Sequence, residues 1–202
     1  MPEIKTDFFE DLEDKRQRIC KAAIKIFKEK SFDKTTVSEI ASEARVGKGT
    51  FYLYFDSKIK LLDFLLKFGT ERLIEYVKSR IARESNPSKK IEEAIDAQLN
   101  FFNTYKDYFN FFVREIWVHR EGLREQVEKL NEKYIVIFED ILREGIENKE
   151  FKNIDSETIS SGLFGMLSFS SVHWVLFSTE FPVDRANESI KKVIFEGLLN
   201  SS

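Results

Sequence analysis

Three prolines and eight glycines are all that interrupt 202 residues. A chain with so few breakers folds into long helices, because an array of short strands needs turn residues at every step. The apolar spacing agrees. Between Glu13 and Glu29, the residues Ile19, Ala22, Ala23, Ile26 and Phe27 fall on one face of an amphipathic helix. Thr36-Val37-Ser38-Glu39 reads as a capping box, in which hydroxyl and carboxylate satisfy each other's exposed amides. It opens a short helix with Val37, Ile40, Ala41 and Ala44 inward. That helix stops near Arg45-Val46-Gly47, and a second short one runs through Thr50, Phe51 and Tyr54. Asp56-Ser57 starts a long helix to about Arg83, and Asn86-Pro87 caps another that buries Ile91, Ile95, Leu99 and Phe102. Further helices are expected over 107–120 and 121–147, from a cap at Asp155 through Phe177, and from Asp184 onward. The spacing predicts an all-α chain of about nine helices. A three-helix N-terminal domain would occupy residues 1–57 and a larger helical domain residues 58–202.

The net charge of −3 hides an asymmetry. Residues 1–14 hold one base and six acids, residues 15–60 twelve bases and five acids, and residues 61–202 nineteen bases and twenty-four acids. A compact basic segment of net +7 on an acidic chain is the footprint of a polyanion-binding module. Lys15, Arg16, Lys21, Lys25 and Lys28 could equally form a solvated helix face, and charge alone leaves both readings open. The single cysteine, Cys20, excludes an internal disulfide and fits a reducing compartment. The opening residues carry no apolar signal stretch. The most apolar run, 162–177, is broken by Ser168, Ser170, Ser171 and His173, and is shorter than the roughly 20 residues of a membrane span. A cytoplasmic protein without membrane contact is therefore expected. Two histidines, one cysteine, no Gly-rich phosphate loop and no nucleophile–base spacing argue against catalysis and against a cofactor. Glu115 and His119 stand four residues apart, but no third metal ligand is identifiable.

Two short helices separated by three or four residues, preceded by a third, form a helix-turn-helix arrangement, whose second helix enters the major groove. The residue types suit that task. Thr36 stands at a helix N-terminus, where amides and a hydroxyl can hold a phosphate. Gly47 and Gly49 bracket Lys48, so the backbone can come close to DNA while the lysine reaches a base edge or a phosphate. Thr50, Tyr52 and Tyr54 add hydroxyl donors, although either tyrosine could belong to the core instead. Lys58 opens the next helix, where its charge opposes the helix dipole, and a phosphate would offset that.

The stretch Thr35-Thr36-Val37-Ser38-Glu39-Ile40-Ala41-Ser42-Glu43-Ala44, then Val46-Gly47-Lys48-Gly49-Thr50-Phe51-Tyr52-Leu53-Tyr54-Phe55, then Ser57-Lys58 resembles the DNA-binding signature of the tetracycline-repressor (TetR) family. The resemblance covers about residues 15–65. It implies that Lys48 and Thr50 contact bases or phosphates, that Tyr52, Tyr54 and Lys58 bind the DNA backbone, and that Thr36 caps its helix against a phosphate. Arg45 departs from the pattern, standing where the family usually has glycine. A left-handed residue there would be strained, while its guanidinium adds a phosphate contact. The six remaining helices match the family's ligand-binding and dimerisation domain in architecture.

Aromatic residues crowd the second half. They are read as lining a pocket for an apolar ligand, with Phe102, Tyr105, Phe109, Phe112, Trp117, Phe164 and Trp174 as walls and His173 as a polar tip or a bonded core residue. Plain core packing is the alternative. The resemblance implies that inducers bind between these helices, and the pattern from Glu144-Gly145-Ile146 through Phe151 to Asp155 is similar to members that respond to fatty acyl compounds. The helix through 159–177 is apolar on every side and must be covered on every side. Gly165 and Ser168, with Ile190, Val193, Ile194 and Leu198 of the last helix, are a candidate two-fold four-helix interface. A wholly internal helix is the alternative. The expected function is a ligand-responsive transcriptional regulator, a repressor that grips palindromic double-stranded operator DNA as a homodimer and is released by an apolar small molecule. A DNA-binding architectural or protein-partnered factor without an inducer is the rival, and a helical enzyme the third reading.

Overall fold

The computed structural model of the chain describes residues 7–118, 120–177 and 182–199, with side chains described for all of these except 114–127, 130 and 175–177. Nine helices run through the described residues: α1 Asp14–Lys30, α2 Val37–Glu43, α3 Lys48–Tyr54, α4 Lys58–Ile81, α5 Pro87–Thr104, α6 Lys106–Val118, α7 Arg120–Glu147, α8 Ser156–Phe177 and α9 Val183–Leu198. The only pairing of extended backbone among those residues is an isolated antiparallel bridge between Phe151 and Leu199. The chain is all-α, as its spacing predicts. The contacts divide it into two compact units. One holds residues 5–70 and 107–126, and the other takes the rest, so the division falls inside α4 and α7.

The first unit is built on the apolar face of α1. Ile19, Cys20, Ala23 and Phe27 are buried there with Ile40 and Ala41 of α2, Phe51 of α3, and Leu61, Leu62 and Leu65 of α4. Phe8 and Phe9, ahead of α1, are also buried and pack on Phe68 and Tyr108. The aromatic residues of α6 complete this core. Phe111 stacks on Phe27 with ring centroids 5.0 Å apart, and Tyr108 lies 4.6 Å from Phe112. Tyr108 needs a bare backbone beneath it. Its hydroxyl donates to the Leu65 carbonyl, and a Cβ added at Gly69 would come within 2.3 Å of its phenolic oxygen. Burial pushes the Cys20 thiol up to about 12, so the side chain acts as a neutral filler and not as a reactive thiolate.

The second unit packs Ile91, Ile95 and Leu99 of α5 with Phe138, Ile141 and Leu142 of α7, Leu163 and Leu167 of α8, and Ile190, Ile194 and Leu198 of α9. Among the described residues, three polar ones are buried in this unit; Ser160 and Ser171 donate to carbonyls of their own helix, and Gln98 reaches across helices. Gln98 accepts from the Tyr134 hydroxyl at 2.8 Å and donates toward Ser168 at 3.5 Å. Asp96 of α5 accepts from Asn187 and from Lys191 at 2.7 Å, both on α9. Two residues beyond the end of α7 stands Lys149, whose φ of 60° lets the Glu150 and Phe151 amides turn back to the Gly145 carbonyl. The Phe151 ring then lies directly on Gly145, where a Cβ would approach to 2.1 Å. That contact accounts for the Gly145…Phe151 pairing within the tail pattern. α8, apolar all round in sequence, buries Leu163 and Leu167 and leaves Gly162, Gly165, Met166 and Phe169 outward, with Phe169 68% exposed. In one subunit the helix is not wholly internal.

Gly69→Ala and Gly145→Ala each force a methyl group into an aromatic ring that has no room for it. Each is expected to lower the unfolding free energy in urea by about 2 kcal/mol, the usual effect of overpacking. Tyr108→Phe, which removes only the hydrogen bond, should lower it by about 1 kcal/mol.

Candidate nucleic-acid interface

α2 begins with the capping box that the sequence predicts. The Thr36 hydroxyl accepts from the Glu39 amide at 3.3 Å, and the Glu39 carboxylate accepts from the Thr36 amide at 2.8 Å. The same carboxylate takes a proton donor from Lys30. Together the Lys30 ammonium and the Thr36 donors pull the Glu39 carboxyl down from 4.5 to about 2. Thr36, expected at a phosphate, thus already has a partner inside the chain.

α2 ends in a Schellman turn. The Arg45 amide donates to the Ser42 carbonyl at 3.0 Å and the Val46 amide to the Ala41 carbonyl at 2.9 Å, with Arg45 left-handed at φ 54°. The strain expected of a non-glycine residue at this position is therefore present. Gly47 caps α3 with ordinary extended backbone. A Cβ on Gly47 would meet only the Thr50 hydroxyl at 3.8 Å, and one on Gly49 would meet nothing within 4 Å. Neither glycine is required by the protein's own packing.

α3 is held by one face. Phe51 is fully buried, and Phe55 just beyond the helix is nearly so. The opposite face presents Lys48, Gly49, Tyr52 at 47% exposure and Leu53 at 84%, with Thr50 half-buried beside them. Leu53 is missing from the sequence-derived candidates. Its position four residues beyond Gly49, on the face opposite Phe51, is the signal in the sequence that marks it as outward. Tyr54 is half-buried, and its hydroxyl donates to Glu13 ahead of α1, which raises its own ionisation above the usual phenol range. Lys58 likewise has a partner other than a phosphate. Its ammonium donates to the carbonyls of Phe32 at 2.5 Å and Thr35 at 2.7 Å and lies 4.2 Å from the Phe32 ring centre. Those carbonyls offset its charge at the start of α4 and tie that start to the loop before α2.

The basic segment resolves into two populations. On α1, Arg18, Lys21, Lys25, Lys28 and Lys30 pair with Asp14, Asp7, Glu43, Asp107 and Glu39 respectively. Arg45 and Lys48 are exposed on either side of the turn. Five cations of α1 are thus paired and Arg16 lies 4.0 Å from the Phe64 ring centre, while Lys15, Lys34 and Lys60 are exposed, as are the cations at the turn and the start of α3.

The candidate ligand residues are divided between the two units. Phe109 and Phe112 belong to the first unit, where Phe112 is buried against Tyr108 and Phe111 as ordinary core. In the second unit, Tyr105 is buried edge-on to Phe101, Phe102 is half-buried, and Phe164 packs edge-on to Tyr134. His173 is exposed on the same side of α8 as Phe169, not tipped into the interior. Trp174 is half-buried beneath the Arg185 guanidinium, 5.5 Å from its ring centre. The side chains of Trp117 and Glu115, and His119 as a whole, lie outside the described residues. The candidate interface residues also divide. Gly165 and Val193, 59% exposed, face outward and Ser168 is half-buried, whereas Ile190, Ile194 and Leu198 turn inward and close the core of their own unit. The α9 stripe is the subunit's own core-facing surface, which periodicity cannot distinguish from an interface.

This is the geometry of a helix-turn-helix, with a seven-residue second helix offered to solvent on its polar side. Comparison with known proteins extends it to the whole chain. The family model for bacterial regulatory proteins of the tetR family matches residues 19–64, and that for the tetracyclin repressor-like C-terminal domain matches residues 84–175. The chain belongs to the tetR family of transcriptional regulators. It is 25% identical over 189 residues to a fatty acid metabolism regulator protein of Bacillus subtilis (strain 168), covering 92% of this chain and 96% of the relative. The fatty acid degradation regulator FadR from Bacillus halodurans shares the fold with a TM-score of 0.83 at 21% identity, over 92% of this chain and 97% of that one. FadR from Bacillus subtilis, solved in complex with stearoyl-CoA, does so with a TM-score of 0.80 at 24% identity, over 89% and 97%.

Two outcomes follow from the capped turn. Arg45→Gly is expected to raise stability by about 0.5–1 kcal/mol, since it relieves a left-handed side chain at some entropic expense. Glu39 titrates near 2 when folded and near 4.5 when free, so its contribution is present above pH 4.5 and lost as pH falls toward 2. Glu39→Gln should flatten the acid limb of a thermal-stability profile over that window, and by less at high salt.

Proposed function

We propose that the chain is a dimeric, ligand-responsive repressor that binds a palindromic operator through α3 and is released by a long-chain acyl thioester. The observation that carries the reading is the bare outer face of α3, with Lys48 and Gly49 at its start, on the one segment of the chain with a strong positive balance. Backbone can approach DNA at Gly49 without displacing any side chain, and Lys48, Thr50 and Tyr52 are in position to meet phosphates or base edges. Arg45 adds a cation at the turn. Tyr54 and Lys58 act by fixing α3 and the start of α4, and Thr36 by closing α2. The DNA-reading part lies within residues 1–57, and ligand binding and dimerisation within 58–202.

The ligand class is supported by the full-length likeness to a fatty acid metabolism regulator and by the shared fold with a protein that holds stearoyl-CoA. The half-buried Phe102 and Phe164 and the buried Tyr105 supply apolar wall in the second unit. The dimer is supported by the outward face of α8, where Gly165 lets another helix come close and Met166 and Phe169 offer apolar area, with Val193 of α9 beside them in sequence pattern. No helix among the described residues is long and apolar enough to cross a membrane, and a DNA-binding role places the chain in the cytoplasm.

The test is fluorescence anisotropy with duplexes from upstream of the protein's own gene at fixed salt. Wild type is expected to bind, Lys48→Ala to lose about 1–3 kcal/mol, and stearoyl-CoA to release the bound DNA. Absence of binding to every duplex at low salt would overturn the reading. Binding that no acyl thioester disturbs would leave a DNA-binding factor without this inducer.

A further inference from the structure

Leu53 is the most exposed large apolar side chain among the described residues, at 84%. Nothing in its own unit uses it. Helical side chains lean toward the helix N-terminus and cover the turn before their own Cα. Leu53 therefore leans toward the turn that holds Gly49 on the same face, where no Cβ fills the surface and none would meet a neighbour within 4 Å, so the backbone there stays open beside the leucine. The pair makes a shallow apolar step on the outer face of α3, flanked by the Lys48 ammonium and the Tyr52 ring. Thymine is the base whose major-groove edge carries a methyl group, and burying a methyl against an aliphatic side chain is a sequence-reading contact that needs no hydrogen bond. The positive balance of residues 15–60 supplies the charge complementarity for a duplex at this face.

We infer that Leu53, beside the open backbone of Gly49, is a specificity-determining residue that receives the 5-methyl group of a thymine in each operator half-site. The inference rests on the reading that α3 binds duplex DNA, and its test separates the two. Duplexes that wild-type protein retains from a random pool define the half-site. Each thymine in it is then replaced by deoxyuridine, which removes only the methyl, and affinities are measured for wild type and for Leu53→Ala. Because Leu53 is exposed, the variant is expected to fold normally, and an unchanged melting temperature checks this. The expected result is a rise in Kd of about four-fold in wild type at one A·T pair per half-site, the effect of one buried methyl, and no such rise at that pair in Leu53→Ala. The inference is overturned if selected half-sites carry no fixed A·T pair, if no deoxyuridine weakens wild-type binding, or if the loss persists undiminished in Leu53→Ala. If no duplex is retained at low salt, the DNA-binding reading itself falls, and this inference with it.

Discussion

Phe51 is the anchor on which the interface depends. A helix of seven residues is only about 10 Å long and cannot hold itself together in water. Its position must come from packing, and burial of one phenyl ring supplies about 2–3 kcal/mol. The neighbouring contacts then fix its direction. The Schellman turn sets the angle at which the chain leaves α2, Phe55 ends the helix in the core, and Tyr54 reaches back to Glu13. All of these holds act on the inner or lateral sides of α3. The side left over is the one that can meet another molecule.

The distribution of charge follows the same division. Five cations of α1 have carboxylates within reach, and exposed pairs of that kind add little to stability. Their effect is to keep the positive field of α1 low. Arg45 and Lys48 remain outward near the turn, which puts two exposed cations where the backbone is also barest. Arg45 accepts left-handed strain at a position glycine would occupy more easily, which is intelligible if its charge is needed there.

Much of the first unit was legible in the sequence because its signals are local. The capping box at Thr36 and Glu39 and the inward spacing of Ile40 and Ala41 each specify structure within a few residues. What the sequence concealed is long-range. Phe109 and Phe112 of α6 read as pocket walls, yet Phe112, with Tyr108 and Phe111, fills the core built by α1 and α4, and only the contact of Tyr108 with Gly69, 39 positions earlier, explains that glycine. Lys58 read as a phosphate ligand because its charge opposes a helix dipole, and the carbonyls that answer it lie 23 and 26 residues back. Ile190, Ile194 and Leu198 show a clear apolar stripe, but periodicity reports which face is apolar and not whether the covering surface is the same subunit or another. Leu53 shows the reverse: an apolar residue to which the sequence reading assigns no role stands almost wholly in solvent.

The central claim is that the outer face of α3 is where this protein meets a duplex. Amide deuterium uptake, followed along the chain with and without a bound operator duplex, tests it without altering any residue. The account predicts slowed exchange concentrated between Thr36 and Tyr54. Protection that leaves this segment unchanged and appears only on α7 or α8, with the duplex demonstrably bound, would contradict it.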